Sequence, residues 1–302
     1  MKVTDNLKND ISNAPEWFFK SIESQVKKKK ITSADHAISY QTWGNKKHKN
    51  ILFFIHGTGA HMRWWDPIAP QFSKDSYVIA IDLPGMGDST HRENYSFASF
   101  AEAIIDILNH EELLELDKSI IFVGHSLGGH VAGFVASEHP KIVDYLVMID
   151  TPIRPPDYDY AKHKSTGPLR MIKYYKDKES IINRFRLMPA QECENDWYLR
   201  YIAEHSIYLT IWGCRWIFYY TLFWKLVRLS EYKFNIQCPA LYIYGGNSML
   251  LGSKILTFME KEFEKVMDFI EVPGAAHHVP LDKPLEIVAI IKSTISKWEN
   301  RE

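Results

Sequence analysis

The chain has 302 residues, of which 46% are hydrophobic and 24% charged, and this ordinary globular composition excludes disordered, collagen-like and low-complexity proteins. The 36 Lys and Arg residues nearly balance the 37 Asp and Glu residues, so the net charge is −1 and no global basic field favours nucleic-acid binding. The three cysteines, Cys193, Cys214 and Cys238, are far apart and predict neither a disulfide framework nor a metal knuckle. The polar N-terminal stretch lacks a signal-peptide core. We therefore expect a cytoplasmic protein.

Apolar runs and helix-like segments alternate along most of the chain. Near the N-terminus, Pro15 starts a predicted short helix, and the lysines at 27–30 predict a solvated turn before the first strand. The later runs are apolar on both faces, as in parallel strands that are covered by helices on each side. They predict strands over 51–56, 77–82, 120–123, 145–149, 241–244 and 267–272, and helices over 96–109, 127–138, 253–264 and 284–299. This order predicts an α/β protein with a doubly wound, mostly parallel sheet, whose ligands bind beyond the carboxyl ends of the strands.

Residues 153–236 interrupt this alternation. The segment is rich in Tyr, Trp and Arg, and it lies between two predicted core strands. We therefore expect a helical, aromatic-rich cap over 153–236, inserted into a core that comprises residues 1–152 and 237–302.

Residues 124–128 read Gly-His-Ser-Leu-Gly and match the nucleophile-elbow pattern G-x-S-x-G. In this motif a serine occupies a strained turn between a strand and a helix, and glycines are needed on both sides because the turn is crowded. The motif falls between the predicted strand 120–123 and the predicted helix 127–138. This context favours Ser126 as a nucleophile over a plain strand–helix turn.

A serine nucleophile needs a base, and His277 is favoured by its position among the 13 histidines of the chain. It follows the predicted strand 267–272 and a turn, so its loop can bring an imidazole over the nucleophile. The adjacent His278 is the weaker candidate, and a purely structural His277 is the remaining alternative.

Four motifs together resemble those of the α/β-hydrolase superfamily. Residues 56–59 (His-Gly-Thr-Gly) resemble the oxyanion loop of that family, and residues 82–89 resemble its D-x-x-G-x-G-x-S turn. Residues 124–129 resemble its elbow, and residues 277–284 resemble its histidine turn, H-x-x-x-x-[ED]-x-P. The resemblance covers the chain from about residue 35 onward except the cap, and it implies the α/β-hydrolase fold with a serine nucleophile.

The acid of the catalytic triad departs from the commoner pattern of the family. Most members carry it in a G-x-x-D turn after the strand that follows the cap, but here the corresponding turn ends in Ser248. The resemblance to members such as haloalkane dehalogenases, which carry the acid after the preceding core strand, implies Asp150. Asp157 and Asp159 are poorer candidates, and the alternative for Asp150 is that it only caps a turn.

The predicted mechanism follows from these residue types. His277 takes the proton of Ser126 as the hydroxyl attacks an acyl carbon, while Asp150 holds the imidazole and stabilises its charge. The backbone N–H groups of Thr58 and Leu127 are expected to bind the developing oxyanion.

Other residues of these motifs have structural interpretations. Asp82 and Asp88 are expected to bind nearby backbone groups, and His56 is expected to fix the oxyanion loop. His125 is expected to pack beneath the elbow or to line the substrate pocket. The chain shows no metal-ligand spacing and no phosphate-binding glycine loop, so we expect no metal and no cofactor.

The aromatic run at 207–227 is long enough to span a bilayer. Arg215 near its middle and its place between core strands argue against a membrane span. The favoured interpretation is cap helices that line a large apolar acyl pocket, and the alternative is a surface that touches lipid. The predicted substrate-binding aromatics, chosen for near-helical spacing, are Trp212, Trp216, Phe223 and Trp224.

Three functions remain open at this stage. A serine hydrolase of the carboxylesterase type, acting on a small and hydrophobic acyl substrate, is favoured. A carbon–carbon bond hydrolase with the same triad and a non-catalytic ligand-binding protein are the alternatives. Ser126 argues against dehalogenase and epoxide hydrolase activity, which use an aspartate nucleophile. We expect no nucleic-acid partner, and the chain is expected to be a monomer or a homodimer.

Overall fold

A computed structural model describes residues 11–115, 117–159, 173–217 and 232–300. Its centre is an eight-stranded sheet in the order β1-β2-β4-β3-β5-β6-β9-β10, and β7 and β8 form a separate two-stranded sheet. The strands are β1 Lys27–Ser33, β2 His36–Trp43, β3 Asn50–Ile55, β4 Ser76–Ile81, β5 Ser119–His125, β6 Tyr145–Ile149, β7 Ile207–Thr210, β8 Gly213–Trp216, β9 Ala240–Gly245 and β10 Met267–Val272.

The helices surround this sheet and extend into the inserted segment. Ser96 begins the second of them with a reciprocal capping box to Ser99, and Pro284 begins the last. Numbered along the described residues, they are α1 Glu16–Ile22, α2 Phe97–His110, α3 Leu127–Glu138, α4 Lys178–Ile182, α5 Asp196–His205, α6 Ser253–Glu262, α7 Val279–Asp282 and α8 Pro284–Glu299. Short 3₁₀ helices cover Ile11–Asn13, Met62–Trp65 and Ala69–Phe72.

The apolar runs of the sequence form the core of the sheet. The six predicted strands are confirmed as β3, β4, β5, β6, β9 and β10, and the four predicted helices that flank them as α2, α3, α6 and α8. All six strands run parallel to one another, and every residue of β3, β4, β5 and β6 is buried. One apolar cluster packs on each face of the sheet. The carboxyl ends of the central strands therefore meet at one edge, and the loops that carry the motifs leave from this edge.

The predicted turn at residues 27–30 is wrong, because these lysines belong to strand β1 at the edge of the sheet, antiparallel to β2. Lysines suit an exposed edge, where their charge discourages pairing with another chain. Lys29 is also held inward by an ion pair of 2.6 Å to the buried carboxylate of Glu111. The strand therefore depends on a tertiary contact that its own sequence does not encode.

The inserted segment contains α4, α5 and the β7–β8 hairpin among its described residues. The prediction of a helix is wrong for residues 207–217, where β7 pairs antiparallel with β8. The chain reverses at residues 211–212, and Gly213, which begins β8, has a φ of +115° that only glycine adopts readily. Ile207–Thr210 is also rich in β-branched and aromatic residues that favour strands. The rest of the aromatic run, with Phe223 and Trp224, lies outside the described residues.

Helix α5 holds the insert against the core. The Tyr198 hydroxyl donates a hydrogen bond of 2.6 Å to the carbonyl of Trp64, and the Tyr201 hydroxyl donates one of 2.6 Å to the buried Asp66 carboxylate. Phe18 of helix α1 packs edge-on against both tyrosine rings. These contacts fix the insert over the loop that follows β3. None of the helices in the described part of the chain is long and apolar enough to cross a bilayer.

Candidate active site

Ser126 occupies a sharp turn between β5 and α3. Its φ of 53° and ψ of −115° lie in a region that side-chain-bearing residues rarely adopt, as expected for a nucleophile elbow. The turn is held by the Ser126 N–H, which donates to the Ile149 carbonyl of the neighbouring strand at 2.9 Å. A Cβ at Gly124 would overlap the carbonyl of Gly128, and a Cβ at Gly128 would overlap the carbonyl of Ile55. Both glycines are therefore required by the close approach of backbone to backbone.

Asp150 and His277 meet beside this turn. The Nδ1 atom of His277 lies 2.7 Å from Oδ1 of Asp150, and both side chains are at least 97% buried. Asp150 directly follows strand β6 and has a φ of 44°, and His277 lies in the loop after β10. The carboxylate can only accept, so Nδ1 carries the proton and Nε2 is left with a lone pair. The imidazole is thus in the tautomer that a general base requires.

The Asp150 carboxylate accepts hydrogen bonds from two further donors, one at the end of β9 and one in the turn that follows it. The Ser248 hydroxyl donates to Oδ1 at 2.7 Å, and the Gly245 N–H donates to Oδ2 at 3.0 Å. The α/β-hydrolase superfamily more often carries the acid in this turn. Here the turn and the end of β9 instead supply hydrogen-bond donors to Asp150, which follows the neighbouring strand β6. The sequence excluded Ser248 as the acid but did not predict that its hydroxyl binds the Asp150 carboxylate.

Ser126 and His277 line one cavity of about 190 Å³ at the edge of the sheet. The Ser126 hydroxyl is partly exposed to this cavity and makes no hydrogen bond with the described residues. In a structure without substrate this hydrogen bond is often long or absent, and it tightens when substrate binds. The other walls come from loops that periodicity in the sequence did not distinguish, among them Trp64, Met188 and Leu250.

The loop after β3 is held by His56. Its Nε2 atom accepts the Leu83 N–H at 3.0 Å, so Nδ1 carries the proton and donates to the Gly57 carbonyl at 2.8 Å. Burial lowers the pKa of His56 to about 4, so the ring is neutral at pH 7. The geometry agrees with its predicted role of fixing the loop. Thr58 of this loop lines the cavity, and the N–H of Leu127 lies at the start of α3, where helical N–H groups have no acceptor within the helix.

Asp82 organises the turn after β4. Its Oδ1 accepts the Met62 N–H at 2.6 Å, and its Oδ2 accepts the Asp88 N–H at 2.8 Å. Burial raises the pKa of this carboxyl to about 7. The side chain does not line the cavity that contains Ser126, and its contacts agree with the structural role expected for Asp82.

Three histidines converge at the cavity. Potential ligand atoms of His125, His277 and His278 all lie within 4.8 Å of one another, a grouping that the sequence spacing did not reveal. His125 uses Nε2 to donate to the His277 carbonyl at 3.0 Å, which leaves Nδ1 with a lone pair. These three side chains are the described residues that could hold a metal ion, although His277 would then be lost as a base. Burial lowers the pKa of His125 to about 3 and that of His278 well below its usual range, so neither carries charge at pH 7.

The aromatic residues of the insert that were predicted to bind substrate do not share one environment. Trp216 lines a second cavity that shares Thr58 and Trp64 with the first. Trp212 is 71% exposed in the turn of the β7–β8 hairpin and lines neither cavity, so these cavities give its predicted contact with substrate no support. The helical spacing that selected Trp212 does not apply to a hairpin, in which successive side chains point to opposite faces. Phe223 and Trp224 lie outside the described residues.

Relatives of this chain carry hydrolase names. A putative esterase/lipase of Haemophilus influenzae is 28% identical over 270 residues, which cover 87% of this chain and 90% of that protein. The monoacylglycerol lipase ABHD6 of Mus musculus is 23% identical over 288 residues, which cover 89% of this chain and 82% of that protein.

Solved structures with the same fold cover nearly the whole chain. A thioesterase domain from the curacin biosynthetic pathway has a TM-score of 0.74 at 21% identity, and the match covers 89% of this chain and 99% of that one. An E-2-(acetamidomethylene)succinate hydrolase has a TM-score of 0.73 at 20% identity, and the match covers 90% of this chain and all of that one (100%). The family model described as the alpha/beta hydrolase fold matches residues 50–284. This chain therefore belongs to the α/β-hydrolase fold family, as its motifs predicted, and is a hydrolase of that fold.

Proposed function

We propose that this protein is a serine hydrolase that cleaves carboxylic esters through Ser126, Asp150 and His277. The observation that carries the proposal is the 2.7 Å contact between Asp150 and Nδ1 of His277, in a cavity that also exposes Ser126 on its strained turn. The names of the relatives, an esterase/lipase and a monoacylglycerol lipase, support ester cleavage.

The reaction proceeds in two steps. His277 accepts the Ser126 proton at Nε2 as Oγ forms a bond to the acyl carbon, and it then gives that proton to the departing alkoxide. His277 then takes a proton from the water that attacks the acyl carbon and gives it to Oγ of Ser126 as the acyl–Oγ bond breaks, so the carboxylic acid leaves and the free serine is restored. Asp150 keeps the imidazole in the required tautomer and stabilises the imidazolium. The N–H groups of Thr58 and Leu127 donate to the oxyanion in both steps, each contributing about 10²–10³ in rate.

The size of the cavity limits the acyl group. A cavity of about 150 Å³ accommodates benzene, so one of about 190 Å³ accepts a group of roughly that size or slightly larger. This is smaller than the large acyl pocket expected from the aromatic run. We therefore propose acyl groups of about four to six carbons as the best fit, each buried CH₂ being worth up to about 0.8 kcal/mol, or about fourfold in kcat/KM.

Turnover of p-nitrophenyl acetate, butyrate, hexanoate and decanoate tests this function. We expect kcat/KM to rise about fourfold per CH₂ from acetate, to peak at butyrate or hexanoate and to fall at decanoate. Ser126→Ala should lose turnover on every ester. A wild-type protein that cleaves none of these esters would contradict the proposed activity and favour the carbon–carbon hydrolase or ligand-binding alternative. A steady rise through decanoate would contradict only the proposed size limit.

A further inference from the structure

A second cavity of about 190 Å³ adjoins the one that contains Ser126. The two share Thr58, Trp64, Met188 and His278 as common walls. The two cavities are therefore neighbours, and a substrate whose ester carbonyl lies against Ser126 would extend past these shared residues to reach the second cavity.

The second cavity is lined by two arginines from the insert. Residues 184–187 alternate, with Arg184 and Arg186 exposed and Phe185 and Leu187 buried. All four line the second cavity, so the apolar pair anchors the segment while the guanidinium groups remain open to solvent. The arginines are thus exposed side chains on a packed segment that lines the cavity.

Neither guanidinium is neutralised by a carboxylate of the described residues. Within the described ranges, no Asp or Glu lies in ion-pair distance of Arg184 or Arg186, and none lines either cavity. Arg184 lies 5.7 Å from the ring centre of Tyr175, and one nitrogen of Arg186 donates to the carbonyls of Asn183 and Phe185. The remaining N–H donors of both side chains have no acceptor among the described residues.

Another arginine of the insert, by contrast, is paired with carboxylates. Arg200 binds both carboxylate oxygens of Glu179, at 2.8 and 2.7 Å, and also the carboxylate of Glu204 at 2.8 Å. Of the histidines that line the cavities, His125 and His278 add no positive charge, because burial keeps both rings neutral at pH 7. Among the described residues that line the two cavities, Arg184 and Arg186 are therefore the permanently charged side chains.

We propose that the natural substrate carries an oxyanion, a carboxylate or a phosphate, that binds Arg184 and Arg186 while its ester carbonyl lies against Ser126. Two guanidinium forks match such groups in geometry and charge. The proposal rests on the proposed ester hydrolysis and adds the chemical class of the group beyond the ester. It predicts selection for the anionic ester over a neutral ester of the same shape.

Isosteric pairs of esters test this selection on either side of the bond. For the alcohol side, 3-carboxyphenyl butyrate is compared with 3-carbamoylphenyl butyrate, and 3-phosphonooxyphenyl butyrate extends the series to phosphate. For the acyl side, mono-4-nitrophenyl adipate is compared with its terminal amide. The quantity measured is the ratio of kcat/KM for the anionic ester to that for its neutral partner.

We expect a ratio of about 10 or more in at least one pair for the wild type, since a hydrogen bond to a charged group is typically worth a factor of about 10 to 100. In R184Q/R186Q the ratio should fall to within about twofold of unity. Lys178→Gln, which removes an exposed cation that lines neither cavity, should keep the wild-type ratio. The pair with the higher ratio identifies the side of the ester, and the phosphate ester shows which oxyanion is preferred.

Two failures are distinguishable. If wild-type protein cleaves anionic and neutral esters with equal kcat/KM in both pairs, or if R184Q/R186Q keeps the preference, the oxyanion site is refuted and the esterase stands. If it cleaves none of the esters, the proposed function fails and the oxyanion proposal falls with it.

Discussion

Replacing Asp150 by asparagine is the most informative change at the proposed triad, because the surrounding donors dictate how the amide must lie. Oδ1 accepts from His277 Nδ1 and from the Ser248 hydroxyl, and Oδ2 accepts from the Gly245 N–H. A backbone N–H cannot become an acceptor. The oxygen of the introduced amide is therefore held at Gly245, and its NH₂ group faces His277.

An NH₂ group in this place forces the wrong histidine tautomer. Nδ1 of His277 must then accept a hydrogen bond, so the ring proton moves to Nε2, which can no longer take the proton of Ser126. The same substitution in the worked serine-protease case lowers kcat by about 10⁴. We expect a loss of about this size here, equal to about 5.4 kcal/mol in the activation free energy.

The assay is kcat for p-nitrophenyl butyrate at pH 7.5, with the thermal midpoint measured in parallel to show that Asp150→Asn is folded. Asp157→Asn is the matched control, because Asp157 is the nearby alternative acid and pairs with Lys254 on the surface at 2.7 Å. It should retain activity within about twofold. A loss below tenfold in Asp150→Asn, or an equal loss in both variants, would refute the assignment of the acid.

Further predictions concern residues around and away from the site. Ser248→Ala should lower kcat by about tenfold with little change in KM, since it removes a hydrogen bond of 2.7 Å to the charged Asp150; unchanged kcat would show that the hydroxyl has no positioning role. Trp212→Ser should leave kcat/KM for the ester series unchanged, because the ring is 71% exposed and lines neither cavity; a large loss would place the hairpin turn in the site. Burial raises the pKa of the Glu111 carboxyl, but its hydrogen bonds and ion pairs to Lys29 and Lys46 outweigh burial and lower that pKa from 4.5 to about 2. The ionised carboxylate therefore stabilises the fold by about 3 kcal/mol above pH 4.5. This contribution disappears as the pH falls towards 2. Urea unfolding at pH 7 should show a loss of about that size in Glu111→Gln and almost none in the exposed control Glu112→Gln, and equal losses would contradict it.

The parts of the fold that follow from local pattern were predictable. Strands such as β10 and helices such as α3 are long enough, and apolar on the appropriate faces, for their bounds to follow from the sequence. Strand β1 was missed because its four lysines look like a solvated turn. What makes them a strand is pairing with β2 and the buried carboxylate of Glu111, which comes from the far end of α2.

Some residues of the candidate site were likewise predictable from the sequence and others were not. Ser126 and Asp150 follow the buried strands β5 and β6, and His277 lies in the loop after β10, so their convergence could be expected from topology. The hydrogen bond from Ser248 to Asp150 could not be predicted, because the sequence shows only that a serine stands where the family more often carries the acid. The walls at Trp64 and Met188 come from irregular segments, and no periodic signal in the sequence marks them.

Covalent labelling of the serine tests the proposed nucleophile most directly. The protein is treated with a fluorophosphonate, digested, and the modified residue is identified by mass spectrometry. We predict a single phosphonylated site at Ser126, loss of labelling in a folded Ser126→Ala variant, and full labelling in the control Ser137→Ala, whose hydroxyl donates to the Gly133 carbonyl on the same helix. Labelling of Ser126→Ala at the wild-type rate, or modification of a different residue, would contradict the assignment of the nucleophile.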